Sequence, residues 1–180
     1  METLFRDAAA LIEKLSAKPC HFVGLSMGGF VGMRLAARRP ELLRSLVLID
    51  TAPDREPALN VPKYRLMAMV ARVFGYRPLL PAIMKIMFAQ SFLKDGRRTA
   101  LRQQMEEHLI NLREAPTRAA LEAVITRRPI SAELSRIKVP TLILHGAEDT
   151  AIVMSRARKL AKGIAGSRFV EIPRAGHTST

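Results

Sequence analysis

A chain of 180 residues, 48% hydrophobic and 25% charged, is long enough to bury a core and too apolar to stay disordered. Its net charge of +13 is dispersed along the chain rather than gathered into a basic block. With aromatics at 5% and no tryptophan, platforms for stacking bases are scarce, so a specific nucleic-acid partner is not expected.

The first residues, Met1-Glu2-Thr3-Leu4-Phe5-Arg6-Asp7, carry acids and no unbroken apolar run, unlike a secretory leader. No stretch of roughly eighteen apolar residues follows, so no transmembrane segment is expected. The single cysteine, Cys20, has no internal disulfide partner, and a cytoplasmic setting is the corresponding expectation.

Leu4, Ala8, Leu11, Ile12 and Leu15 recur at helical spacing and predict a helix over residues 3–17, closed by Lys18-Pro19. Cys20 to Gly24 reads as a strand. A second helix is predicted from about Met27 to Arg39, stopped before Pro40. Ser45-Leu46-Val47-Leu48-Ile49-Asp50 is a continuous apolar run, which suits a strand buried on both faces of a parallel sheet. Alternating helices and strands predict parallel pairing with right-handed crossovers.

From Thr51 the pattern changes. Pro53, Pro57 and Pro62 lead into a helical region, roughly Lys63 to Arg128, with breaks near residues 75–81, at Asp95-Gly96 and near Pro116. It is too long for a simple crossover and predicts a helical cap inserted over residues 54–135. Its methionines, Met67 and Met87 among them, suit helix packing or an adaptable lid over a pocket. Strand character returns from Val139 to Gly146, a helix follows over about 153–162, and Arg168 to Ile172 predicts a last strand. The expected fold is therefore α/β: about four mostly parallel strands in core segments 1–53 and 136–180, on either side of the cap.

Gly24-Leu25-Ser26-Met27-Gly28-Gly29 lies between a strand and a helix, the setting in which a sharp turn lifts a serine hydroxyl clear of a sheet. Such a turn strains the serine backbone and crowds the residues two before and two after it, hence Gly24 and Gly28. Gly29 lets the helix approach the neighbouring strand.

A serine hydroxyl is a poor nucleophile until a base takes its proton. Of the four histidines, His21 lies at the far end of the strand and His108 within the cap. His145 ends an apolar strand and reads as structural. His177, in Ala175-Gly176-His177-Thr178, follows the last strand at the carboxyl edge of the sheet, the edge that Ser26 occupies. His177 is the candidate base and His145 the second choice. The imidazole needs an acid to fix its tautomer. Asp149 follows the penultimate strand at the same edge. Asp50, just past the second strand, is the alternative, and Glu148 would be turned differently in its tight loop. The chain order Ser–Asp–His favours Asp149.

The pieces Gly24-Leu25-Ser26-Met27-Gly28-Gly29, Leu46-Val47-Leu48-Ile49-Asp50, Leu142-Ile143-Leu144-His145-Gly146-Ala147-Glu148-Asp149 and Ala175-Gly176-His177 together resemble the α/β-hydrolase family, specifically its capped serine hydrolases. The resemblance implies Ser26 as nucleophile, His177 as general base, Asp149 as orienting acid and the Met27 backbone N–H as one oxyanion-hole donor. It implies hydrolysis of a small apolar ester, lactone or related acyl compound through an acyl-serine, with no metal and no cofactor. Ser-dependent C–C hydrolysis, acyl transfer and a non-catalytic remnant stay open, as does the oligomeric state. Family members carry strands ahead of the nucleophile strand and a loop there that gives a second oxyanion donor. Only 25 residues precede Ser26, so the expectation is a piece of a longer hydrolase.

Overall fold

The computed structural model describes residues 1–179. One sheet holds four strands, β1 (Cys20–Leu25), β2 (Leu43–Ile49), β3 (Thr141–Gly146) and β4 (Arg168–Ile172), in the order β1-β2-β3-β4 with every pair parallel. Helix α1 (Glu2–Lys14) precedes β1, and α2 (Met27–Arg38) joins β1 to β2. Five helices intervene between β2 and β3: α3 (Asn60–Phe74), α4 (Leu80–Met87), α5 (Gln90–Lys94), α6 (Thr99–Ile110) and α7 (Glu114–Ile125). Helix α8 (Met154–Gly163) joins β3 to β4.

Because β1→β2 and β3→β4 step the same way, right-handed crossovers put α2 and α8 on the same face of the sheet. Burial follows the two-residue period of the strands. Leu46, Leu48 and Ile143 are buried, with Leu48 paired to Gly24 and to Ile143 across the sheet. On the opposite face Val23, paired with Val47, is 63% exposed, and Val47 and Leu142 are half-buried. Burial of Ser45–Asp50 on both faces is therefore only partly realised. The apolar run is continuous, but Ser45 and Val47 point away from the helix-covered side.

The core is centred on α2, which packs on β1, β2 and α1. Met33, Leu35 and Ala36 have no exposed surface. Burying a Met or Leu side chain this fully contributes about 1.5–3 kcal/mol each. Arg34 lies among them and is nevertheless buried, because its guanidinium is matched: Nε donates to Glu2, Nη1 to the Phe30 carbonyl and Nη2 to the Arg128 carbonyl. One side chain thereby joins α1, α2 and the segment leading back to β3.

Within the inserted helices α3 packs on α7 and α4 on α6. The break predicted near Pro116 falls three residues earlier. Helix α7 starts at Glu114, and Pro116 sits in its first turn, where a backbone N–H has no intrahelical partner to lose.

Candidate active site

Each side chain of interest sits just beyond the carboxyl end of a strand. Ser26 occupies the step from β1 to α2 with φ 47° and ψ −106°. That left-handed conformation costs on the order of 1–3 kcal/mol. It is held from both sides, since the Ser26 N–H donates to the Ile49 carbonyl at 2.8 Å and Thr51 Oγ1 donates to the Ser26 carbonyl at 2.9 Å. A Cβ on Gly24 would collide with the Gly28 carbonyl, whereas a Cβ on Gly28 would meet nothing. The crowding expected of both glycines thus applies to Gly24 alone, because it is the backbone of residue 28 that fills the space. A Cβ on Gly29 would overlap the Thr51 side chain at 2.6 Å, so close approach there is real, to the residue just past β2's end.

Asp149 follows β3 in a turn closed by its own N–H to the Gly146 carbonyl. Its Oδ1 accepts from the backbone N–H groups of Ala151 at 2.8 Å and Ile152 at 2.9 Å. This aims Oδ2 at His177 Nδ1, 2.9 Å away. His177 Nε2 is 2.8 Å from Ser26 Oγ. A carboxylate only accepts, so the hydrogen is on Nδ1 and the lone pair of Nε2 faces the serine hydroxyl. Asp149 and His177 are buried and Ser26 is half-buried. The His177 loop is clamped by the inserted helices: a Cβ on Gly176 would collide with the Phe88–Ala89 backbone, and Thr178 donates to the Met87 carbonyl from N–H and Oγ1.

The other candidates are placed elsewhere. Asp50 does not reach His177. Its Oδ1 accepts from the Gly146 N–H at 2.8 Å, and its Oδ2 accepts from the Ser179 hydroxyl and N–H. Burial raises the Asp50 pKa, partly offset by those donors. His145 is fully buried, with Nε2 donating to the Ile152 carbonyl at 2.9 Å and Nδ1 3.5 Å from Asp50 Oδ1. His21 and His108 are exposed. Glu148 turns toward the inserted helices and accepts from the Ser91 N–H, which lowers its pKa.

Asp50, His145 and Asp149 bring one donor atom each within 4.8 Å, the spacing a metal ion would need. The chemistry does not fit, because both carboxylates already accept backbone or hydroxyl donors and Nε2 of the imidazole is donating. Only His145 Nδ1 is left without a partner, and one free ligand does not hold an ion.

Ser26 and His177 open onto a cavity of about 160 Å³ that Phe30, Tyr64, Glu56 and Arg127 also line. A second cavity of about 280 Å³, almost wholly apolar, lies among the inserted helices, with Met67, Ala71, Leu79 and Ile83 in its wall. Tyr64, Ile86, Met87 and Leu121 border both. Sequence reasoning singled out neither Glu56 nor Arg127. Their local signals are slight: an acid just before Pro57, and an Arg-Arg pair just before Pro129.

The sequence profile described as the alpha/beta hydrolase fold matches residues 1–179. Monoacylglycerol lipase ABHD6 of Bos taurus is 31% identical over 176 residues, an alignment covering 92% of this chain and 51% of that protein. The 3-oxoadipate enol-lactonase 2 of Acinetobacter baylyi (strain ATCC 33305 / BD413 / ADP1) is 25% identical over 179 residues, covering 99% of this chain and 64% of the lactonase. The crystal structure of the enol-lactonase from Burkholderia xenovorans LB400 is similar with a TM-score of 0.85 at 30% identity, covering 98% of this chain and 65% of that one. The chain thus spans between about half and two thirds of the length of these proteins. No helix among the described residues is long and apolar enough to cross a membrane. On the fold, its parallel sheet and the profile match over nearly its whole length, the chain belongs to the alpha/beta hydrolase fold family.

Proposed function

We propose that Ser26, His177 and Asp149 are the nucleophile, general base and orienting acid of a serine hydrolase that cleaves a carboxylic ester, lactone or related acyl bond. The observation that carries the reading is the relay itself, Ser26 Oγ to His177 Nε2 at 2.8 Å and His177 Nδ1 to Asp149 Oδ2 at 2.9 Å.

In this reading Ser26 Oγ attacks the acyl carbon as its proton passes to His177 Nε2. The imidazolium that forms faces the Asp149 carboxylate. The carbonyl electrons move onto oxygen, toward the N–H of Met27. Met27 is the first residue of α2, where an N–H has no acceptor within the helix and the helix dipole is positive. Collapse breaks the bond to the leaving oxygen, which takes the proton from His177 and leaves acyl-Ser26. Water then attacks with His177 again as base, releasing the acid and restoring Ser26. Every step uses groups of the chain, so the proposal involves no metal or cofactor.

The apolar cavity bordering the Ser26 pocket supports a small apolar acyl or alcohol group as the part of the substrate that the inserted helices hold. Residues 54–135 then act as the cap that sets the substrate, and segments 1–53 and 136–180 as the catalytic core. The test is labelling of the full chain with a fluorophosphonate. Stoichiometric modification of Ser26 is expected, lost in Ser26→Ala and slowed about 10³-fold or more in His177→Gln with an unchanged circular dichroism spectrum. Labelling that persists in Ser26→Ala overturns the reading.

A further inference from the structure

Eleven large apolar side chains are well exposed among the described residues. Five of them, Leu59, Leu66, Met69, Val73 and Phe74, lie in α3 or immediately before it. The other six are scattered over α1, β1, α6 and the loops beside α1 and α8. A lone exposed apolar residue is ordinary, but a contiguous row marks a surface that meets a partner or a membrane.

An α-helix turns about 100° per residue, which fixes where these side chains point. Leu66, Met69 and Val73 stand at i, i+3 and i+7 and share one face, and Leu59 continues the row seven positions earlier. Tyr64, Met67, Ala68 and Ala71 repeat in the same way two positions out of step, so they occupy the opposite face. That inner face lines the apolar cavity, across which α7 contributes Thr117 and Leu121. Helix α3 is therefore apolar on two sides. The cap accounts for the inner side and leaves the outer row bare.

The flanks of the bare row are basic. Arg65 and Arg72 stand on one side of it and Lys63 on the other, and Arg77 follows just past the helix. From Pro57 to Lys94 the chain has no Asp or Glu, yet it has Lys63, Arg65, Arg72, Arg77, Lys85 and Lys94. Arg65 lies 3.1 Å from Glu122 of α7. Lys63, Arg72 and Arg77 are exposed and have no carboxylate partner among the described residues.

An apolar row edged by free cations matches a bilayer surface that carries anionic headgroups. The row leaves water for the acyl boundary, and the long basic side chains reach lipid phosphates. With 15 residues α3 is about 22 Å long, short of the roughly 30 Å of a hydrocarbon core, so it would lie in the surface. A second copy of this chain fits less well. Pairing α3 with itself about a two-fold axis sets Lys63, Arg72 and Arg77 near their own copies, with no acid in the stretch to answer them.

We propose that α3 docks the chain on an anionic membrane surface, with Leu59, Leu66, Met69 and Val73 in the headgroup boundary and Lys63, Arg72 and Arg77 on lipid phosphates. The docking stands apart from the hydrolase reading, since none of these residues lines the Ser26 cavity.

The test is co-sedimentation of the full chain with vesicles of phosphatidylglycerol and phosphatidylcholine in equal parts, and with phosphatidylcholine alone. Partitioning is expected to be at least about tenfold stronger onto the anionic vesicles and to weaken as salt is raised. Leu66→Gln/Met69→Gln/Val73→Gln changes exposed positions only and is expected to lower it about tenfold or more, with the circular dichroism unchanged. Lys63→Gln/Arg72→Gln/Arg77→Gln is expected to do the same. Lys14→Gln/Arg44→Gln/Lys138→Gln removes as much charge elsewhere and is expected to bind like the parent. The chain has no tryptophan, so Phe74→Trp supplies a single reporter whose emission is expected to move to the blue on anionic vesicles. Equal partitioning onto both vesicles, binding that survives the Leu66 variant, equal losses in the two charge variants, or an unmoved emission maximum would each overturn the assignment. A dimer in sedimentation velocity that the Leu66 variant abolishes, without vesicle binding, would overturn it in favour of self-association.

Discussion

His177 Nε2 stands 2.8 Å from Ser26 Oγ although 151 positions of sequence separate the two residues. The distance is maintained partly from above, by Thr178 donating twice to the Met87 carbonyl at the end of α4. Thr178→Val removes the hydroxyl donor and keeps the N–H. It is expected to cost about 1 kcal/mol of stability and to slow Ser26 labelling about tenfold. Urea unfolding and labelling kinetics check this, and unchanged labelling would show that the hydroxyl bond to Met87 is not needed to hold the loop.

Two glycines of the turn are expected to respond differently. Gly24→Ala places a methyl against the Gly28 carbonyl, and overpacking of this kind costs about 1–3 kcal/mol. Gly28→Ala opens onto free space and is expected to fold with stability unchanged or slightly raised, since alanine is the better helix residue. Thermal melts of both variants decide it, and equal destabilisation would contradict the geometry.

The two buried aspartates should separate by function. Asp149→Asn disturbs the tautomer presented to Ser26 and is expected to lower turnover or labelling by about 10³–10⁴-fold. Asp50→Asn, whose side chain touches Gly146 and Ser179 rather than His177, is expected to stay within about tenfold of the parent. Comparable losses in both would place Asp50 in the relay.

Asp50 also predicts a pH dependence of stability. Burial, together with like charge from Asp149, raises its folded-state pKa above the ordinary 3.8, while Ser179, Gly146 and His145 oppose the rise. A raised acid favours folding while protonated. That contribution is full below 3.8 and is lost as pH climbs through the raised value. Asparagine cannot ionise, so the stability of the parent relative to Asp50→Asn should fall as pH rises above 3.8. A difference that is flat or grows with pH would show that Asp50 is not penalised when charged.

Much of this arrangement is legible in the sequence because it is local. Arg168–Ile172 reads as a strand from its composition and is β4, and Ser26, Asp149 and His177 each lie a few residues past an apolar run. The parts that were not legible depend on distant partners. The open space at Gly28 and the seating of Asp50 on Gly146 follow from packing that no neighbouring residue announces. Glu56 and Arg127 are 71 positions apart, and a single ion pair leaves no period to detect.

Strands β2 and β3 are hydrogen-bonded neighbours, yet the whole five-helix excursion is spliced between them. The sheet takes no account of how long that detour is, since closing a longer loop adds entropy cost only slowly. Descendants of such a layout can lengthen, trim or exchange the roof while the floor beneath keeps its reactive geometry. The exchange is constrained at two seams, where residues 87–91 rest on the histidine loop and where Arg127 reaches back to Asp54 and Glu56. Rebuilding what lies between those seams would leave the placement of Ser26, Asp149 and His177 at the sheet edge untouched.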